Sequence, residues 1–355
     1  MAGSVTAKEV ARRAEVSVGT VSRVFNNHSN VSEEIRQRVL KVASDLGYTR
    51  PGGQPALLSG PGRPLKEVCF LYYQGNQDTI PLTQNPYWAP IFYGVEREAR
   101  RSQLKLVYRT IIEGEQSPRQ LTVFLTDMHP GGLLLVGPAE HEFVRACQAT
   151  DLPLVLVDHY LADLVPPVDA VLGDNFQGAR QGMDYLFEMG HRRIAFIGGG
   201  AQPGPRPAYK IYSIQQRWTS YCMALLDYGL PLDYTLVESG NLTTESAYAA
   251  CQRLLARQVE FSAIFCADDI TAIGAIQALR EYGRRVPEDV SLLGFDDIEL
   301  ARHVTPALTT LHVNADQLGA TAFRTLLARA ANPETSCVTN LLGVTLVKRA
   351  SVARR

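Results

Sequence analysis

From Val68 onward, short apolar runs alternate with segments of helical periodicity, and that alternation restricts the chain to a parallel α/β architecture. VCFLYY (68–73), LKLVYRTI (104–111), GGLLLVG (131–137) and LPLVLVDH (152–159) are near-continuous apolar runs, with helical patterns over 90–101, 120–128 and 140–150 between them. Unbroken apolar runs suit strands covered on both faces, and the intervening helices are the crossovers that parallel strands require. The order then restarts. A strand at 171–173, a helix over 176–189, RIAFIGG (193–199), a helix over 216–228, a strand at 235–238 and a helix over 244–257 follow. FSAIFCA (261–267), a helix over 272–282 and VSLLGFDD (290–297) extend the series. TTLHV (309–313), a helix over 316–331 and a closing strand near 341–347 end it. This is more than one sheet needs, so residues 67–350 read as two similar lobes. Lobe one takes about 67–160 and 312–332, lobe two about 161–290 and 335–350, with 291–311 at the crossover.

Length and composition agree with several folded units. The chain has 355 residues, 46% hydrophobic and 20% charged, which suits two or three globular domains and argues against extensive disorder. No apolar stretch approaches the roughly 18 residues of a membrane span. The N-terminus places Lys8, Arg12 and Arg13 among regular apolar positions, unlike the apolar run of a signal peptide. Six scattered cysteines form no Cys-x-x-Cys pair, so buried thiols in a reducing cytoplasm are expected in place of a disulfide or metal scaffold.

The net charge of -1 hides an uneven distribution. Residues 1–66 carry ten Lys/Arg against five Asp/Glu, so a small basic head sits on a mildly acidic body, as a contact with a polyanion requires. The first 48 residues read as three short helices. Thr6 caps the first, with Glu9 placed to complete a capping box; Ser17 caps the second, from Val18 to about Asn26; Ser32 caps the third, which Gly47 ends. The tight junction Ala14-Glu15-Val16 gives helix one and helix two a helix-turn-helix arrangement. Val21, Val24 and Phe25 face inward on the second helix. Its other side presents Val18, Gly19, Ser22 and Arg23, with Ser17 and Thr20 near its start: short side chains that allow close approach to a groove, and an Arg able to take a guanine edge or a phosphate. A small structural bundle is the alternative for three helices, and this outward face argues against it. Residues 49–66, with Pro51, Pro55, Pro61 and Pro64 among glycines, make a linker.

Within the body, acids stand directly after apolar strands: Asp158, Asp268, Asp269, Asp296 and Asp297. Carboxylates at strand ends accept charge-assisted hydrogen bonds from a hydroxyl-rich ligand, and such folds bind ligands beyond the carboxyl ends of their strands. Arg217 follows a long loop and adds a fork of donors; Tyr87 and Trp88, after the first strand, offer apolar faces for stacking; Phe295 flanks the last acid pair. There is no Gly-x-Ser-x-Gly elbow, P-loop or His-Glu-x-x-His. Asp296 and Asp297, weighed as a Mg²⁺ site, are adjacent and so point different ways. No metal, cofactor or catalytic group is therefore expected. Paired carboxylates of a sugar-processing enzyme would leave the basic head without a purpose.

VTAKEVARRAEVSVGTVSRVFNNHSNVSEEIRQRVLKVASDLGY (5–48) resembles the DNA-binding headpiece of the LacI/GalR family of bacterial transcription regulators. DNFQGARQGMDYLFEMGHRRIAFIGG (174–199), CADDITAIGAIQALREYGRRVPEDVSLLGFDD (266–297) and PALTTLHV (306–313) are similar to that family's ligand-binding body. The resemblance implies an N-terminal all-α helix-turn-helix headpiece (1–50), a linker in the place of a hinge (51–66), and an α/β two-lobed, periplasmic-binding-protein-like (type I) body (67–350). It implies a homodimeric repressor in the bacterial cytoplasm, at the nucleoid, that reads double-stranded DNA with an inverted repeat and answers to a small effector, a carbohydrate by preference. Carried onto this sequence, the base-reading positions are Val18, Gly19 and Arg23, with Ser17, Thr20, Ser22 and Asn26 near the backbone and Tyr48 packing the headpiece or touching phosphate. The effector positions are Asp158, Arg217, Asp268 and Asp296, with the loop bearing Tyr87 and Trp88 beside them.

Two departures stand out. Leu57 falls in register with the family's minor-groove wedge, but Pro55, Gly52 and Gly53 disfavour a hinge helix there. AQPGPRPAYKIYS (201–213) is a Pro-rich insertion, read as a solvated loop or a flap over the cleft. Two other readings predict different behaviour: a solute-binding protein would show no salt-dependent DNA binding, and a sugar-processing enzyme would show turnover.

Overall fold

The computed structural model describes residues 6–25, 31–45, 65–75, 80–198 and 211–355. Two compact units result, Met1–Gly62 and Arg63–Arg355.

The first unit is a cluster of three helices, α1 (Ala7–Arg13), α2 (Val18–Phe25) and α3 (Glu33–Asp45). Val10, Ala11, Ala14, Val21, Val24, Val39 and Ala43 form its core. Thr6 caps α1 by accepting from the Glu9 amide at 3.4 Å, while the Glu9 carboxylate takes Arg12 at 2.5 Å in place of the reciprocal capping bond expected of it. Glu15 turns the chain between α1 and α2 with φ of 53°, a left-handed conformation that lets two short helices meet without a longer loop.

The second unit continues with β1 (Glu67–Gln74), α4 (Trp88–Arg101), β2 (Lys105–Ile112), α5 (Pro118–Met128), β3 (Gly132–Val136), α6 (His141–Gln148), β4 (Leu154–Val157) and β5 (Asp169–Gly173). Next come α7 (Asn175–Glu188), β6 (Ile194–Ile197), α8 (Tyr212–Asp227), β7 (Val237–Glu238), α9 (Thr244–Ala256), β8 (Ala263–Cys266), α10 (Asp269–Glu281) and β9 (Ser291–Leu293). The last elements are β10 (Thr310–His312), α11 (Ala315–Ala331), β11 (Thr339–Leu342) and β12 (Thr345–Val347). One sheet has six strands in the order β11-β5-β4-β3-β1-β2, all parallel. The other has four in the order β7-β6-β8-β9, also parallel. β10 and β12 pair antiparallel, and single bridges from Leu293 to Thr309 and from Asp296 to His312 join that pair to the edge at β9.

The inner strands are buried from end to end, as their unbroken apolar character requires: Val68 to Tyr73 of β1 and all of β3, β4, β6 and β8. Helix α4 packs on α11 through two glycines. A Cβ on Gly94 would lie 2.0 Å from the Asp316 carbonyl oxygen, and one on Gly319 would lie 2.0 Å from that of Ile91, so backbone meets backbone there. This contact anchors the helix that starts at Trp88.

The structure corrects the lobe boundaries expected from the sequence. β5 (169–173) and the strand at 339–342 belong to the first sheet, and the chain enters lobe two only at α7. The expected closing strand is two strands, β11 in the first sheet and β12 against β10. Crossing back to lobe one follows His312, beyond the expected crossover at 291–311, because β9 belongs to the second sheet and the β10–β12 pair is bridged to its edge. An apolar run predicts a strand but carries no information on which of two sheets receives it. Leu65, assigned to the linker, is buried in the body's core.

Candidate functional site

On α2 the two faces separate cleanly. Val21 and Val24 are buried against α1 and α3, while Ser17, Val18, Gly19, Ser22 and Arg23 are exposed and Thr20 is half-buried. Ser17 Oγ accepts from the Thr20 amide at 3.0 Å and lies 2.9 Å from its hydroxyl, which fixes the start of the helix. Val18 is 44% exposed, a cost in apolar surface without benefit to this unit's own core. Asn26, Tyr48, Leu57 and the insertion 201–210 lie outside the described residues.

A cavity of about 650 Å³ opens between the lobes at the carboxyl ends of both parallel sheets. Lobe one lines it with Tyr72, Tyr73, Tyr87, Trp88, Glu113 and Asp158; lobe two does so with Arg217, Trp218, the segment 240–245, Asp268, Asp269 and Asp296. Six of the seven expected effector positions therefore converge. The seventh, Phe295, does not line the cavity. It is fully buried, and the Arg217 guanidinium lies 3.7 Å from its ring centroid. Asp296, at φ of 100°, turns the chain at this point, so its carboxylate faces the cavity while the Phe295 ring lies beneath.

Arg217, 2% exposed, is held on three sides. Its Nε donates to Asn175 Oδ1 at 2.8 Å, Nη1 to the Ala267 carbonyl at 2.6 Å, and Nη2 to Asp296 Oδ1 at 2.8 Å. Asp268 caps α10, accepting from the Thr271 amide at 2.7 Å. Asp269 is engaged within the protein: its carboxylate takes the Thr310 hydroxyl at 2.5 Å and the Ile298 amide at 2.9 Å, tying α10 to β10 and to the segment after β9. Asp297 turns away from the cavity to Arg349 and His312.

Asp158 differs from these. It is 5% exposed, sits at φ of 52°, and its Oδ1 has no hydrogen-bond partner; the Tyr87 hydroxyl is buried in the same condition. Burial pushes the Asp158 carboxyl up to about 7, against the pull of Arg217 and with a further push from Asp296. Burial pushes Asp268 up to about 6, with Asp296 adding to it, and raises Asp296 despite its ion pair with Arg217. The Tyr87 hydroxyl is raised well above its ordinary value by burial and by the charges of Asp158 and Asp296. These groups share one low-dielectric space.

Aromatic rings wall the cavity. Tyr87 meets Trp88 edge-on with centroids 4.9 Å apart, and Trp88 leans on Tyr72 at 5.9 Å. On the other side Trp218 stacks on Tyr221 at 5.3 Å. Sequence reasoning missed Glu113, Trp218 and Asn175. Glu113 follows β2 directly, so the strand-end rule that selects Asp158 also selects it. Trp218 adjoins Arg217. No sequence signal marks Asn175 as the brace of Arg217. Among the described residues, no three His, Cys, Asp or Glu side chains converge to hold a metal ion, and no helix is long and apolar enough to cross a membrane.

Two family models match the chain: bacterial regulatory proteins of the lacI family over residues 6–51, and a periplasmic binding protein-like domain over 183–352. The ribose operon repressor of Haemophilus influenzae is 32% identical over 98% of this chain and 98% of its own length. The transcriptional repressor PurR of Escherichia coli is 32% identical over 98% of this chain and 97% of its own. A solved complex of the transcriptional regulator CelR with cellobiose shares 31% identity, covers 98% of this chain and 99% of its own, and has a TM-score of 0.73.

Proposed function

We propose, for a chain that belongs to the LacI family of bacterial regulatory proteins, that it is a sequence-specific transcriptional repressor governed by a carbohydrate held between its lobes. It is a DNA-binding regulator and not an enzyme. Residues 1–50 read DNA, 51–66 connect, and the remainder up to residue 350 binds the effector and joins two copies into a homodimer. Ser17, Val18, Gly19, Thr20, Ser22 and Arg23 meet the operator, Val18, Gly19 and Arg23 at base edges; Asn26, Tyr48 and Leu57 complete the DNA set. The repressor acts on chromosomal DNA, in the cytoplasm and at the nucleoid. Tyr87, Trp88, Asp158, Arg217, Asp268 and Asp296 hold the effector.

The observation that carries this reading is the cavity. Carboxylates and a braced guanidinium at the strand ends, walled by Trp88 and Trp218, have the chemistry of a carbohydrate site: charge-assisted acceptors for hydroxyls and flat faces for a sugar ring. Relatives are named for ribose and for a cellobiose complex, the same ligand class. Because the cavity is shared by two lobes, a bound ligand favours one relative lobe position over another. That preference shifts a population between states of different operator affinity. A dimer presents two α2 helices, so its operator is an inverted repeat with half-sites about one helical turn apart, or a multiple of it.

Selection of operators from a random DNA pool by the full chain tests the DNA side. The expected result is an inverted repeat bound at about 10⁻⁸ M or tighter, weakening steeply with salt. Recovery of no common sequence would overturn it.

A further inference from the structure

Among the described residues, acids outnumber bases around the cavity. Arg217 is the one Lys, Arg or His among the described residues that lines it, against Asp158, Glu245, Asp268, Asp269 and Asp296, besides Glu113, which is engaged elsewhere in the protein. Arg217 is committed to Asp296 through Nη2, and its Nε and Nη1 donate to neutral oxygens of Asn175 and Ala267. Asp269 is consumed by Thr310 and Ile298. Asp268 spends one oxygen on the end of α10. Asp158 has nothing comparable: Oδ1 is unpartnered, the residue is 95% buried, and it faces the cavity from a backbone conformation that few non-glycine residues adopt. An oxygen of a buried carboxylate left without a hydrogen bond is costly, and a donor brought in by a ligand removes that cost.

A neutral hydroxyl would give Asp158 a hydrogen bond but would leave the excess negative charge in place. An ammonium would supply both the donor and the counter-charge. Tyr87, whose hydroxyl leans on the same carboxylate without a full hydrogen bond, supplies an acceptor for a second ammonium proton.

We propose that the ligand of this cavity carries a protonated amine, an amino sugar in preference to a neutral sugar, and that Asp158 receives the amine. This inference rests on the carbohydrate reading of the site and narrows it. Arg217, bound to Asp296, serves the hydroxyl groups; the first lobe serves the cation.

Calorimetric titration of the full chain with matched pairs tests it: D-glucosamine against D-glucose, D-galactosamine against D-galactose, and D-mannosamine against D-mannose. At pH 7 at least one amine is expected to bind about tenfold or more tightly than its parent hexose, since charge-assisted bonds are roughly twice as strong as neutral ones. N-acetylation, which removes the charge, is expected to abolish the advantage. Asp158→Asn, nearly isosteric, is expected to bring the pair within about threefold of each other, while Asp268→Asn keeps the order of preference. Parent hexoses that bind as tightly as their amines would overturn the inference and leave the carbohydrate reading standing. A panel in which nothing binds would overturn both.

Discussion

The two lobes prepare their charges differently. In lobe two, Arg217 is braced by Asn175, Ala267 and Asp296, and Asp268 caps a helix, so the polar groups have their partners before any ligand arrives. In lobe one, Asp158 Oδ1 and the Tyr87 hydroxyl make no full hydrogen bond and lean only on each other beside Trp88. One wall of the cavity is preorganised and the other is completed by what binds. A cleft built this way answers to its ligand, because the interactions of lobe one are gained only when the ligand spans both walls.

Removing the centre of the preorganised wall breaks the comparison most severely. Arg217→Ala leaves the Asp296 carboxylate buried beside Asp158 and Asp268, so thermal or denaturant unfolding should show a loss of about 3–5 kcal/mol, with ligand binding abolished. A loss below about 1 kcal/mol would mean that water reaches this pair freely.

The opposite sign is expected from the waiting wall. Asp158 holds its proton up to about pH 7 in the folded chain, against an ordinary value of 3.8, so between these limits the folded state binds more protons than the unfolded one. Stability from this group is complete below about pH 4 and is lost as pH rises through about 7. Asp158→Asn removes the dependence and should stabilise the ligand-free chain by about 1–3 kcal/mol at pH 8, and by less at pH 5. The same proton opposes a ligand that needs the carboxylate ionised. With Tyr87, Arg217 and Asp296 facing it, Asp158 should make affinity fall as pH drops below about 7, by up to about tenfold per pH unit.

Smaller effects sharpen the contrast. Asp268→Ala removes the cap of α10 and should cost about 0.5–2 kcal/mol, whereas Asp268→Asn, which still caps, should cost little. Phe295→Leu removes the ring beneath Arg217 and should cost about 1–2 kcal/mol and weaken ligand binding severalfold, though Phe295 lies outside the cavity. If Phe295→Leu left affinity unchanged, the guanidinium would be held by its hydrogen bonds alone.

Much of this arrangement is legible in the amino-acid sequence. Strand-end acids such as Asp158, Asp268 and Asp296 mark a cavity because parallel α/β folds place all their strand ends together. The exposed face of α2 is legible because buried Val21 and Val24 leave Val18, Gly19 and Arg23 on the other side. What stays hidden depends on backbone direction and long-range pairing. Phe295 and Asp296 are neighbours, yet one lies under Arg217 and the other faces the cavity, and no local pattern tells which of the two takes which side. Asp269 and Asp268 look alike in sequence, yet Thr310, 41 residues away, turns Asp269 into a tie. β5 and β11 pair across 169 residues of sequence or so, and no local pattern reports such a partner.

Both tryptophans of the chain, Trp88 and Trp218, line the cavity, so intrinsic fluorescence reports occupancy from either lobe. The most direct test combines that signal with fluorescence anisotropy of the full chain on its selected labelled operator, titrated with the tightest-binding sugar. Operator affinity is expected to change by about tenfold or more over the same ligand concentrations that move the tryptophan signal, and Arg217→Ala to show neither change. A tryptophan response that saturates while operator affinity stays constant would contradict it.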